Sequence, residues 1–305
     1  MTIDIEAAVA ALRAGELVIF PTETVYGLGC DAADPKAVAR LYAAKGRPSF
    51  NPLIAHVAGL EEAQREANLS PLALKLAERL WPGPLTLVAP RRDDARVCEL
   101  ACAGLATVAL RAPNHAVAQA LLRAFGGPIV APSANLSGRL STTAATDAAA
   151  DLGERVRIVL DAGPSPIGIE STIVSVGADG RATLLRPGAI ARAEIESITG
   201  PLQAATRGVE APGMLESHYA PRARLRLDAD APLPGEAFLA FGAPAPAGGL
   251  TLSASGDLIE AAANLYACLR ALDAGGAATI AVAPIPAVSL GEAIRDRLAR
   301  AAAPR

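Results

Sequence analysis

The sequence predicts an α/β protein in two units. Three observations carry this. A short strand runs through a hydroxyl- and glycine-rich loop into a helix between Leu17 and Lys45. Short aliphatic strands then alternate with amphipathic helices along most of the chain. Between Pro201 and Arg224 the periodicity disappears, which divides the 305 residues into a body (1–200), a linker (201–224) and a smaller alternating unit (225–305).

The opening elements are a helix over 4–15 and a strand over 16–20. The stretch PTETVYGLGCDAADPKAVARLYAAKGRPSFNPL (21–53) follows. Asp34 suits an N-cap and Pro35 the first helical turn, while Val38, Leu41 and Tyr42 recur at helical spacing. Gly46 suits a left-handed cap, and Pro48 biases Arg47 towards extended backbone. Thr22, Thr24, Lys45 and Arg47 therefore gather around one strand-to-helix unit, at the carboxyl end of a strand where ligands of open α/β sheets bind. Hydroxyls with two cations suit a polyanion such as a nucleoside triphosphate. There is no Walker loop, and Gly27 and Gly29 lack the third glycine of a dinucleotide fingerprint. From this stretch alone, two surface cations answering the helix dipole are an equal alternative.

Leu53–Val57 reads as a strand carrying His56, residues 60–67 and 71–80 as helices, and 85–89 as a strand. Trp81 reads as a packing anchor. After a loop over 91–104, Thr107–Arg111 is a strand. Asn114 is expected to cap a helix to Phe125. PIVAPSANLSG (128–138) is a buried strand running into small polar residues; alternation points Ser133 and Asn135 the same way. An ordinary turn explains Ser, Asn and Gly equally well. A helix over 144–152 and a strand over 157–160 follow. Residues 171–176 and 182–186 form a hairpin, and 192–199 a helix. The linker holds Ser217, His218, Tyr219 and Arg222, more contact-making groups than a spacer needs, so a lid over the cleft is expected. The last 81 residues show strands at 237–241 and 279–283 and helices at 257–272 and 289–302. That is a parallel, Rossmann-like layer without a phosphate loop.

Composition narrows the function. Hydrophobic residues make up 51% and aromatics 3%. No apolar run approaches a membrane span, and the acidic amphipathic N-terminus is not a signal peptide, so a cytoplasmic protein is expected. A formal net charge of −3 argues against general nucleic-acid binding through a basic surface. Cys30, Cys98, Cys102 and Cys268 form no CxxC pair and are expected to be reduced. The absence of a long exposed apolar stripe makes a monomer the default.

PTETVYGLG, KGRPSFNPL, WPGPLT, APSANLSG, ESTI, LRPG and SHYAP, in this order, resemble the YrdC-like family in its long form with an extra C-terminal domain. The likeness is strong over about residues 5–200 and moderate beyond. It implies a twisted open sheet with flanking helices and a positively charged concave face. It also implies an enzyme that joins L-threonine, bicarbonate or CO2, and ATP into threonylcarbamoyl-AMP with release of pyrophosphate. A partner complex would pass the threonylcarbamoyl group to tRNA. Matched residue by residue, Lys45, Arg47 and Arg186 would neutralise phosphate. Asn51, Thr107, Ser133, Asn135 and Ser141 would hold the nucleotide. Thr24, His56, Arg111, Ala131 through its backbone, and Ser171 would hold threonine. His218 or Tyr219 would close over the nucleotide. ATP implies Mg, carried by phosphates and water because no metal cage is evident. Two rivals stand beside this reading. A non-catalytic RNA-binding module is disfavoured by the charge and the lack of a basic stripe interleaved with aromatics. A carbamoyltransferase lacks its accompanying acylphosphatase-like or zinc-finger segments.

Overall fold

The computed structural model describes residues 3–177, 179–205, 211 and 218–304. In chain order the first unit contains α1 (Ile5–Arg13), β1 (Val18–Phe20), β2 (Gly27–Asp31), α2 (Pro35–Lys45), β3 (Ile54–His56), α3 (Leu60–Glu66), α4 (Pro71–Leu80), β4 (Leu85–Pro90), β5 (Thr107–Arg111), α5 (Ala116–Phe125), β6 (Ile129–Val130), α6 (Ala145–Leu152), β7 (Ile158–Val159), β8 (Thr172–Val176), β9 (Ala182–Arg186), α7 (Arg192–Thr199) and β10 (Gln203–Ala204). The second contains β11 (Arg224–Arg226), β12 (Ala237–Ala240), β13 (Leu250–Thr251), α8 (Leu258–Ala274), β14 (Thr279–Val282) and α9 (Leu290–Ala302).

The large sheet has the order β10-β9-β8-β4-β5-β3-β6-β2-β1-β7 and mixes parallel with antiparallel pairs. The small sheet, β11-β14-β12-β13, is parallel throughout. These match the expected open sheet with flanking helices and the small Rossmann-like layer; the mixture of strand directions in the large sheet is a finding of the structure.

Alternation along β1 shows how the core divides. Val18 and Phe20 pack with Leu12, Leu121 and Phe125 of α1 and α5, while Leu17 and Ile19 pack with Val38 and Leu41 of α2. Both faces of that half of the sheet are therefore covered by helices. The other half differs. Leu85, Leu87 and Val174 face α4 and α7. On the opposite face, Ile54, Val88, Ala109, Ile173 and Leu185 cluster with Ala211 from the linker. Period-two alternation puts His56 on the face of Ile54 and Arg111 on that of Ala109. The register pairs His56 with Arg111. The linker-covered face thus carries the polar ends of the strands.

Three expectations need correction. Residues 27–31, expected as loop, are β2: its glycines hide the strand pattern, yet a Cβ on Gly29 would lie 2.7 Å from the Phe20 ring and 3.0 Å from Ile129. Asn114 does not cap α5; His115 occupies the cap position and makes no side-chain cap bond. The patternless linker contains a short strand, β10, parallel to β9. Residues 206–210 and 212–217, including Ser217, lie outside the described residues.

Candidate active site

The end of α2 is built as its sequence requires. Asp34 accepts from the Lys36 amide at 2.8 Å, Pro35 opens the helix and Gly46 closes it at φ 62°. This places Lys45 and Arg47 in the interior, at 2% and 8% exposure, which rules out a solvated surface pair. The Lys45 ammonium donates to the Ser133 carbonyl at 2.5 Å and also to the Asn135 carbonyl. Burial, then the neighbouring Arg47, pushes it well below the usual lysine range. Arg47 donates from Nε to the Asn51 carbonyl (3.2 Å) and from Nη2 to the Pro52 carbonyl (2.9 Å). Burial lowers its pKa to about 10, so it stays charged at neutral pH.

A cleft on the linker-covered face is lined by Arg47, His56, Arg111, Ala131, Ser133, Ser171, Arg186, His218 and Tyr219 among the expected residues. Thr22, Tyr26, Ile54 and Glu170 join them. Its free volume is about 50 Å³, far below the ~300–1,000 Å³ of a ligand pocket. His218 and Tyr219 close it, with ring centres 4.0 Å apart. Tyr219 holds a left-handed backbone, φ 61°, rare for a bulky residue and found where surroundings enforce it.

The other expected residues stand behind this lining or apart from it. The Asn51 side chain is buried with neither its Nδ2 nor its Oδ1 hydrogen-bonded. The Thr24 hydroxyl lies 2.9 Å from that of Thr22. Asn135 Nδ2 donates to the Leu136 and Arg139 carbonyls, bracing its own loop. Ser141 is fully buried and donates to Glu170 Oε1 at 2.5 Å. Thr107 begins β5, four residues from Arg111 at the strand's other end, and does not line the cleft.

Charge in the cleft is arranged in pairs. Arg111 Nη2 lies 2.8 Å from Glu23 Oε1, both buried. The angle is too poor for a hydrogen bond, so Arg111 Nε and Nη2 keep donor capacity. His56 packs edge-on against Phe20 with Nδ1 unbonded. Burial, then Arg111, holds its pKa down near 3, so the imidazole is neutral at physiological pH. Arg186 donates to the Ser171 carbonyl and hydroxyl, at 2.9 and 3.1 Å from Nη2. The Ser171 hydroxyl also meets that of Thr86 at 2.7 Å. Sequence reasoning missed Glu170 and its partners Tyr266 and Arg297; Glu170 opens the ESTI motif and Arg297 lies in the last helical stretch, but nothing in the sequence connects them.

Among the described residues there is no cluster of three His, Cys, Asp or Glu side chains, and both local carboxylates face arginines. The four cysteines are free thiols. No helix among the described residues is long and apolar enough to cross a membrane.

Two family models match. The Sua5/YciO/YrdC model, described as telomere recombination, covers residues 10–188. A model described as the threonylcarbamoyl-AMP synthase C-terminal domain covers 190–303. The threonylcarbamoyl-AMP synthase of Bacillus subtilis is 40% identical over 99% of this chain and 93% of its own length. That of Pyrococcus abyssi is 38% identical, over 97% and 93%. The crystal structure of P. abyssi Sua5 complexed with L-threonine superposes with a TM-score of 0.90 at 36% identity, covering 98% of this chain and 94% of that one.

Proposed function

The chain belongs to the Sua5/YciO/YrdC family, and from that premise we propose that it is an L-threonylcarbamoyladenylate synthase. It is an enzyme of the nucleotidyltransferase class, working in the cytoplasm. It uses L-threonine, bicarbonate or CO2, and ATP, and supplies threonylcarbamoyl-AMP to a transfer complex that modifies tRNA.

The reaction joins two anions. The threonine amine, as the free base, adds to CO2 and gives up a proton to water to become a carbamate. A carbamate oxygen attacks the α-phosphorus of ATP, the bond to the β-phosphate oxygen breaks, and pyrophosphate leaves. Nucleophile and electrophile repel until positive charge offsets them. The observation that carries the reading is three buried basic residues at one site: Arg47 and Arg186 line the cleft, and Lys45 stands behind it, donating to the carbonyl of the lining residue Ser133. Carbonyl and hydroxyl oxygens orient them.

Ser133, Asn51, Asn135, Thr107 and Ser141 are assigned to the nucleotide. Asn135 and Ser141 act through the loops they brace, and Thr107 serves at a distance from the lining. Arg111 takes the threonine carboxylate with its spare donors. The neutral His56, Thr24, Ser171 and the Ala131 backbone hold the rest of the amino acid. The reaction needs no protein nucleophile, because the carbamate supplies one. Catalysis is then positioning, charge neutralisation and water exclusion, the last by His218 and Tyr219. Mg enters as part of the substrate, MgATP, carried by its phosphates and water.

Pyrophosphate release from ATP, measured with and without L-threonine and bicarbonate, tests the assignment. Release that requires both, with threonylcarbamoyl-AMP found by mass spectrometry, is expected. Threonine-independent release would point to another acceptor or a carbamoyl substrate. No release from folded protein with MgATP would overturn the reading.

A further inference from the structure

A second recess, apart from the active-site cleft, lies in the C-terminal unit and has a free volume of about 360 Å³, the size of a small-molecule pocket. It opens where β11 and β14 end. These are neighbouring parallel strands, and their continuations leave on opposite faces of the small sheet. The chain after β11 turns to one face, where Ala229 packs with Phe238, Ala240 and Ala281. The chain after β14 turns to the other, where Ile294 and Leu298 of α9 pack with Ile280 and Val282. A crevice outside the carboxyl ends of such a strand pair is where open parallel sheets take their ligands. Leu227, Val282, Ile285 and Leu298 give this one apolar walls, and Pro187 of the first unit joins them.

Four charged side chains also line the recess. Two are committed to other partners. Glu292 accepts from Arg192 Nε at 3.2 Å on each oxygen. Asp296 accepts from Arg297 at 2.6 Å and from Arg300 at 3.0 Å. Asp228 and Arg295 differ. Both are exposed, and Asp228 Oδ1 lies 3.5 Å from Arg295 Nη1 as an ion pair without a hydrogen bond. Asp228, left-handed at φ 52° just past the end of β11, accepts no side-chain hydrogen bond among the described residues. Arg295 spends Nη1 on the Ile285 carbonyl at 2.9 Å and keeps Nε and Nη2. An anion and a cation thus stand side by side at the mouth of an apolar recess, each with hydrogen-bonding capacity to spare.

We propose that this recess binds a free α-amino acid with a branched apolar side chain, of the leucine and isoleucine class. The ligand's carboxylate takes the paired donors Nε and Nη2 of Arg295. Its ammonium donates to Asp228. Its side chain leaves water among Leu227, Val282, Ile285 and Leu298. Both rim charges are answered by a ligand that carries the two opposite charges on one carbon. A fatty acid leaves Asp228 unanswered, and an amine leaves Arg295 unanswered. Threonine is a poor occupant, because its hydroxyl would give up water against apolar side chains. Nothing in this recognition depends on the reaction in the cleft.

The test is equilibrium dialysis of labelled L-leucine against full-length protein: wild type, Arg295→Met and Asp228→Asn. Wild type should bind one leucine with a Kd of about 0.1–1 mM, and L-threonine at the same concentration should not displace it. Each variant should bind about fivefold or more weakly while keeping the wild-type melting temperature. 4-Methylpentanoate, which lacks the ammonium, and 3-methylbutylamine, which lacks the carboxylate, should each compete about tenfold less well than unlabelled leucine. No saturable binding by wild type overturns the proposal. So does displacement by threonine, which would place leucine in the cleft. Undiminished binding by the folded variants, or an analogue with one charge competing as well as leucine, overturns it equally. Should one variant not fold, the other decides. Loss of threonine-dependent pyrophosphate release would sink the proposed reaction and leave this comparison standing.

Discussion

The Lys45 ammonium donates to the Ser133 carbonyl at 2.5 Å, so one side chain ties the end of α2 to the loop after β6. It reaches the Asn135 carbonyl as well. Held by two backbone oxygens behind the cleft, it shapes the loop carrying Ser133. Lys45→Ala should lower the threonine-dependent rate of pyrophosphate release by about 10²–10³-fold. It should also cost about 2 kcal/mol of stability, since two carbonyls lose a buried donor. Steady-state kinetics with a urea melt on the same sample checks both; a folded variant with normal turnover would remove Lys45 from the site.

Asn51 is 1% exposed, and neither polar atom of its side chain has a hydrogen-bond partner. A fold that keeps such a group does so against its own stability. Asn51→Leu should raise the melting temperature by a few degrees, reflecting about 1 kcal/mol of relieved desolvation. The ATP KM should rise about tenfold at the same time. A variant that is less stable, or that binds ATP normally, would show that the amide is not kept for the nucleotide.

Tyr219 roofs the cleft beside His218 and rests on Arg297. Tyr219→Ala should let water reach the carbamate and the adenylate. The expected result is a pyrophosphate yield exceeding that of threonylcarbamoyl-AMP by about threefold or more, against near equality in the wild type. Quantifying both products in one reaction decides the matter; a preserved one-to-one ratio speaks against water exclusion by this ring.

Acid should destabilise the protein from near neutrality. Burial first, then Arg111 for His56 and Arg47 for His218, holds both imidazoles near 3 in the folded state, against about 6.5 unfolded. The unfolded chain therefore binds two protons that the folded chain refuses. Stability present above pH 6.5 is lost as pH falls towards 3, by about 2.6 kcal/mol per pH unit near pH 5. Glu170, at about 2 folded, adds loss of the same sign below about pH 4.5. Urea midpoints at pH 7, 6 and 5 measure the slope, and His56→Gln should roughly halve it. A flat profile would mean that the histidines are not buried neutral.

Local rules were enough to place some residues and useless for others. The cap at Asp34, the Pro35 start and the Gly46 close made α2 readable, and with it Lys45 and Arg47. Trp81 packs between two apolar clusters and donates to the Leu85 carbonyl at 2.7 Å, as expected of an anchor. β2 escaped because its contribution is backbone: the glycines make room for Phe20 and leave no apolar alternation to detect. Glu170 and Arg297 escaped for another reason. They are 127 residues apart, and no periodicity or spacing in the sequence relates an end of one sheet to a helix of another unit. The burial of Ser141 against Glu170, and the distance of Thr107 from the lining, are likewise set by tertiary packing.

One apolar cluster holds Val25, Leu140 and Ile169 from the first unit together with Leu265, Tyr266, Leu269 and Ile294 from the second. At its edge the Gly168 backbone comes so near α8 that a Cβ there would lie 2.4 Å from the Ala262 carbonyl oxygen. Heat must therefore separate the units and melt them in the same event. The chain should absorb heat in a single calorimetric peak, its van't Hoff enthalpy equal to that of all 305 residues.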